Sequence, residues 1–176
     1  MSALWRRLDL AFAAAFRGDM GGGGLYGSLA LADVAVNEVW NPDAGDFPRL
    51  ILYSITARVS QGEHGGGGLR RSDVAYPYLA VAITTAPSYD AARADAQELF
   101  SRMLAVLAAP TPILQAAMAA DPGSGEQAVR LTFERGAGAS GIEVRGRSGP
   151  NSGRFLGIAV LAWTVETRTG IQAEGA

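Results

Sequence analysis

The bases, nucleophiles and metal ligands from which most enzymes are built are scarce in this chain. It has one histidine, His64, no cysteine, and all 15 of its basic residues are arginine. Without lysine there is no phosphate-loop lysine, Schiff-base lysine or lysine general base. Without cysteine there are no disulfides, thiolate metal sites or thiol nucleophiles. A Ser-His-Asp arrangement would have to use His64, which stands in Gln61-Gly62-Glu63-His64 before Gly65-Gly66-Gly67-Gly68. A catalytic base must be held within hydrogen-bond reach of its partners, and a glycine run is a poor mount for one, so His64 reads as an exposed loop side chain. The same run lacks the Lys-Ser/Thr pair of a phosphate cradle. Asp73, Glu134 and Glu143 are the remaining candidates for acid-base work. Their spacing does not compel proximity, and no carboxylates stand at a ligand spacing around His64. The expectation is a protein that is not an enzyme, with no catalytic residue, no metal and no cofactor.

The elements available to position any side chain follow from composition and pattern. At 176 residues, with 48% hydrophobic and 18% charged content, the chain fits a single domain over residues 1–176 with ample core. A net charge of −2 and a pI near 5.4 argue against a protein whose main task is gripping nucleic-acid phosphates, so no sequence-specific nucleic-acid partner is expected. The all-arginine usage, with heavy Ala and Gly content, reads as the codon bias of a GC-rich genome before any choice of planar bidentate contacts. Arg6 and Arg7 precede an apolar run, but Asp9 interrupts it and it is too short to span a bilayer. It reads instead as an amphipathic helix with Trp5, Leu8, Phe12 and Phe16 on one face, in a soluble protein without membrane contact.

Further along, Val34 to Trp40 reads as a short strand, and Arg49 to Val59, rich in β-branched and aromatic residues, as a long central one. Tyr76 to Thr84 is extended and runs through Pro87-Ser88 into a helix from Tyr89 to Leu107. Its stripe is Tyr89, Ala92, Ala96, Leu99, Met103 and Val106, with Asp90, Arg93, Gln97 and Arg102 falling away from it. Ser88 or Asp90 caps the start and Pro110 stops the end. Ile113 to Ala119 adds a short helical segment. Strands follow at Ala128 to Glu134, Gly141 to Arg145 and Arg154 to Arg168, the last two joined by a polar turn, and the tail from Thr169 frays. Glycine-rich loops near 18–24, 60–72 and 136–153 read as flexible. The expected fold is α+β: a mixed or antiparallel sheet of about four to six strands, with one long helix and an N-terminal helix packed on one face. Leu50 to Val59 and Phe155 to Val165 are expected to be edge-capable, open to strand addition.

This order of parts resembles the tail-terminator, or cap, proteins of phage tails and of phage-tail-like contractile injection systems. The resemblance rests on the N-terminal helix, the Leu50-Ile51-Leu52-Tyr53 strand, and a variable loop leading to Tyr76-Pro77-Tyr78-Leu79-Ala80-Val81. It continues through the Asp90-Ala91-Ala92-Arg93 helix opening, its close at Leu104-Ala105-Val106-Leu107-Ala108-Ala109-Pro110, the Pro112-Ile113-Leu114 segment and a final Gly153-Arg154-Phe155-Leu156-Gly157 strand. The chain departs from the pattern in its two four-glycine loops and in the polar insertion Gly136 to Gly153. The resemblance implies a structural protein that caps the tail tube as a six-fold ring, a homo-hexamer with the tube protein as partner and, in contractile systems, the sheath protein as well. It places the protein in a virion tail or tail-like particle assembled in the bacterial cytoplasm. In such a ring Arg70 and Arg71, followed by Asp73, would engage an acidic surface of tube or sheath, and Arg145 and Arg147 would face the lumen. A head-to-tail joining protein, or a small non-catalytic binding module, fits the same domain.

Overall fold

The computed structural model describes residues 3–21, 29–39, 47–55, 58–62, 70–120, 126–133, 140–147 and 153–171. Helix α1 spans Ala3–Met20. Its buried face is Leu4, Leu8, Phe12, Phe16 and Met20, one residue per turn, so the expected stripe is centred on Leu4 and Trp5 lies at its margin. Helix α2 spans Tyr89–Ala108, and the Ser88 hydroxyl oxygen accepts the Ala91 N–H at 3.2 Å, the expected N-cap. Pro110 ends it as expected: Ala109 leaves helical geometry, and Pro110 opens α3, Pro110–Ala119, bent by 60° from α2.

All the described strands join one mixed sheet. They are β1 (Asp33–Val36), β2 (Arg49–Ser54), β3 (Arg58–Gly62), β4 (Arg70–Ala86), β5 (Glu126–Phe133), β6 (Gly141–Gly146) and β7 (Phe155–Ile171). Their order is β1-β2-β4-β7-β5, with β3 also on β4 and β6 also on β7; β1 and β2 are parallel and every other pair is antiparallel. The backbone of the sheet is the β4–β7 pair, two strands of 17 residues in register from Arg70↔Ile171 to Ala86↔Phe155. At about 3.3 Å per residue that ladder is roughly 55 Å long.

The α+β class and the helices on one face are as expected, but the sheet has seven strands, more than the expected number. The surplus comes from two places. The Gly-rich stretch 60–72, read as a loop, holds strand residues, with Ser60–Gly62 of β3 paired to Asp73, Ser72 and Arg71 of β4; Gly141–Gly146, inside 136–153, is the strand expected at Gly141 to Arg145 and pairs with β7. Gly18–Met20, in the first of the three Gly-rich stretches, is helical and Gly21 bridges to Leu31; Ser140, Arg147 and Gly153 of the third are also described, and the rest of the three lies outside the described residues. The second place is the Arg49–Val59 segment, which is two strands. Both pair with β4, and the break falls opposite Pro77. The Pro77 carbonyl accepts the Ile55 N–H at 2.9 Å, so the side of Pro77 facing β2 and β3 is the side on which proline has no N–H to offer. The ladder loses a bond there and divides. Two further readings are corrected: β2 and β7 are interior strands, bordered on both sides, and Thr169 to Ile171 belong to β7.

Between the helices and the sheet lies the main core. Trp163 on β7 stacks on Tyr78 of β4 with centroids 5.5 Å apart, and Phe12 and Phe16 of α1 meet the Trp163 ring edge-on. Leu99, Met103 and Leu107 of α2 and Ile113, Leu114 and Ala117 of α3 complete it. Arg102 is not on the solvent side of α2, as its position off the stripe suggested. It is 5% exposed, because its guanidinium pairs with Glu98 and donates to the Leu29 carbonyl at 3.1 Å, pinning the segment before β1 to α2.

Candidate interaction face

Alternation along the strands gives the sheet a second apolar side. Leu50 and Leu52 point into the main core, so Ile51 and Tyr53 point away; likewise Val81 and Ile83 on β4, and Leu156, Ile158 and Val160 on β7. Ile51, Val81 and Val160 are consecutive partners across three strands. Ile51, Ile83, Leu156 and Ile158 are buried, while Phe47, Tyr53, Val81 and Val160 are half-buried against them, and no described helix residue joins this cluster.

Charged side chains surround it as local pairs. Asn37, with a left-handed φ of 55°, turns the chain after β1, and its side chain holds Ser54 through Nδ2–H to Oγ and the Ser54 N–H to Oδ1, both at 3.0 Å. The turn delivers Glu38 to the Arg49 guanidinium, which also meets Asp33 at 3.3 Å. Burial raises the Tyr53 phenol above its ordinary value, with Arg49 lowering it and Glu38 raising it. Across the sheet, Arg145 binds Glu143 bidentately at 2.6 and 2.8 Å, and Arg147 lies over the Phe47 ring at 5.9 Å. The pairing with Arg145 holds the Glu143 carboxyl below its ordinary range. An apolar centre bordered by paired charges is the composition of a protein contact surface.

Two sheet margins are blocked by side chains. Arg17 of α1 donates to the Val34 carbonyl of β1 at 2.7 Å, and the Ala128 N–H of β5 meets the Met118 sulfur of α3 at 3.2 Å. Between β5 and β6, the Ser140 hydroxyl accepts the Ala162 N–H of β7 at 3.0 Å. Beside Arg17, a hollow of about 210 Å³ is lined by Gly21, Leu31, Ala32, Asp33 and Val34. It is small for a ligand pocket.

The residues singled out in the sequence do not converge. Arg70, Arg71 and Asp73 are strand residues at the start of β4, opposite Ile171, Gly170 and Arg168 of β7, and not loop residues as expected. Arg145 pairs with Leu156, and Arg147 follows β6 directly. The two arginine groups therefore lie at opposite ends of the long ladder, roughly 45 to 50 Å apart at about 3.3 Å per residue. Asp73 and Glu143 are likewise separated by the stretch of β7 from Arg168 to Ile158, roughly 33 Å. That distance rules them out as one acid-base pair. His64 and Glu134 lie outside the described residues.

Among the described residues no group of three or more His, Cys, Asp or Glu side chains is placed to hold a metal ion. No single described helix is long and apolar enough to cross a membrane. The sequence reading missed the helix-free face itself, although its signal was there: β4 and β7 are apolar at successive positions, the pattern of strands buried on both sides. It also missed Asp9, read only as an interruption of an apolar run. With the geometry in view, comparison with known proteins adds no relative: no family model matches this sequence, and no curated protein matches it.

Proposed function

We propose that this chain is a structural assembly protein that closes the end of a tail tube as a six-fold ring, in the manner of the tail terminators its sequence resembles. The observation that carries the reading is the helix-free apolar face, bordered by the Arg49 and Arg145 ion pairs on a sheet whose helices all lie on the other side. A ring needs each subunit to offer extended surfaces to its neighbours and to the tube. A sheet roughly 55 Å long, whose helix-free side carries Phe47, Tyr53, Val81 and Val160 half-buried over the buried Ile51, Ile83, Leu156 and Ile158, supplies part of such a surface. The order of elements supports the same reading: an N-terminal helix, a 17-residue strand running into a 20-residue helix, a short proline-opened helix and a final long strand. In this proposal the partners are copies of the chain, the tube protein and, in a contractile system, the sheath protein. The site of action is a tail or tail-like particle.

The test is the solution mass of the full chain by light scattering, alone and with preformed tail tubes, with negative-stain imaging of tube ends. A six-fold species, or stoichiometric capture at tube ends, is expected. Capture at a head connector in place of the tube moves the assignment to a head-to-tail joining protein. A stable monomer that ignores both overturns assembly and leaves a small binding module.

A further inference from the structure

Asp9 is a carboxylate that lies inside the core, at 5% exposure. It sits on α1 between the buried Leu8 and Phe12. A buried charge is costly unless it is paired and hydrogen-bonded. Asp9 has neither. The Ser54 hydroxyl is 3.5 Å from Asp9 Oδ2 and 3.4 Å from Asn37 Oδ1, while it accepts from Asn37 Nδ2 at 3.0 Å. One hydroxyl proton faces two acceptors and can be given to only one at a time. The Tyr78 hydroxyl interacts with the same carboxyl, but neither Asp9 Oδ1 nor Tyr78 OH has a well-formed hydrogen bond.

No cation offsets the deficit. The titratable groups facing Asp9 are Tyr78 of β4 and, behind it, Tyr76. β2 presents Ser54, the end of β1 presents Asn37, β7 presents Trp163 to Tyr78, and α3 has no titratable side chain. Arg102 of α2 is engaged with Glu98 and Leu29, and Glu38 is turned to Arg49. A site short of donors suits the neutral acid. An ionised carboxylate only accepts, whereas the protonated group brings a proton that Tyr78 or Ser54 can accept.

We propose that Asp9 is a protonation-dependent latch between α1 and the sheet: the neutral carboxyl bridges the helix to Tyr78 and Ser54, and its ionisation slackens that hold. Burial raises the Asp9 carboxyl above its ordinary value, against smaller lowering effects from Tyr78 and Ser54. The folded chain therefore keeps this proton at pH values where the unfolded chain has released it. Stability from Asp9 is complete below the ordinary Asp range and declines as pH rises through the raised folded value. The polar chain runs outward from Tyr78 through Asp9 and Ser54 to Asn37, whose turn carries Glu38 to the helix-free face. The latch thus touches both sides of the sheet, and it stands whether or not the chain caps a tube.

The test is native-state hydrogen exchange of the α1 amides in the full chain from about pH 4 to 8, corrected for intrinsic exchange, in wild type and Asp9→Asn. Wild-type protection is expected to fall with rising pH while the variant stays flat. At neutral pH the variant's amides should exchange at least about fivefold more slowly, the factor equivalent to the about 1 kcal/mol lower bound for an unsatisfied buried polar group. Parallel pH dependences, or a less protected variant, would overturn the latch. If Asp9→Asn does not fold, the Asp9 carboxyl carbon shift in the unmodified protein decides. A titration midpoint above the ordinary Asp range supports the proposal, and a midpoint within it overturns it.

Discussion

Gly157 offers a sharp test of how α2 sits on the sheet, because the ordinary effect of the substitution has the opposite sign. Replacing glycine by alanine inside an element normally stabilises by about 0.5–1 kcal/mol, through lower entropy of the unfolded chain. At Gly157 a Cβ would come within 2.9 Å of Thr84 Cγ2 and 3.0 Å of the Ala92 carbonyl carbon, and closer still to the Ala92 oxygen. Carbon contacts settle near 3.5–4.0 Å, so α2 has to retreat by about 1 Å. Ala92 is in the first turn, whose register is fixed by the Ser88 cap and by the buried Ala96, Leu99 and Met103 below it. The obstacle is helix backbone and cannot swing aside. Overpacking costs about 1–3 kcal/mol, and against fixed helix backbone the upper end applies; offset by the glycine gain, about 3 kcal/mol leaves a net loss of about 2 kcal/mol for Gly157→Ala. In a domain of this size that is a drop of about 4–8 °C in Tm, with a matching shift of the urea midpoint at unchanged slope. Gly141→Ala and Gly146→Ala, with nothing within 4 Å of the added carbon, are the controls and should be neutral or slightly stabilising. Gly153→Ala also has open space but a φ of +98°, and should lose about 1–2 kcal/mol through backbone strain alone. A Gly157→Ala protein as stable as wild type would refute the close approach of α2 to β7.

Three further perturbations follow from the contacts. Ser88→Ala removes the cap on the Ala91 N–H and should cost about 1 kcal/mol in urea denaturation, with Ser88→Asp largely restoring it. Arg102→Ala abandons the buried bond to the Leu29 carbonyl and the pair with Glu98. Because Glu98 is 43% exposed and can rehydrate, the expected loss is about 1–3 kcal/mol, and a loss under about 0.5 kcal/mol would remove Arg102 as the pin on the 29–31 segment. Arg145→Glu breaks an ion pair that is half exposed on both sides, so stability should change little. If the helix-free face is the assembly surface, capture at tube ends, read by co-sedimentation, should weaken in the same variant; unchanged capture excludes that corner from the contact.

How much of this was legible beforehand depended on whether the deciding interaction was local. The stripe of α2, its Ser88 cap and its stop at Pro110 are written within a few residues of one another, and the structure has them where the spacing put them except for Tyr89, which is half exposed at the helix start. The Arg49–Val59 segment shows the limit. Every residue in it favours a strand, and the reason it breaks is Pro77, more than 20 positions away, whose missing N–H faces it only after β4 has been laid alongside. Arg102 repeats the point: its place off the apolar stripe signals solvent, and only the carbonyl of Leu29, supplied by the segment before β1, makes burial affordable. Strand membership was obscured for a related reason. Glycine signals slack backbone when read alone, yet Gly62 and Gly146 sit in ladders because β4 and β7 run on for 17 residues and offer partners beyond their first neighbours. The same length defeats the arginine reading. Arg71 and Arg145 look like two loops of one contact surface in the sequence, but their β7 partners, Gly170 and Leu156, are 14 residues apart. A ring contact that uses both must therefore run the length of the sheet or meet two different neighbours, and a heterologous ring, with two unlike surfaces on each subunit, permits the latter.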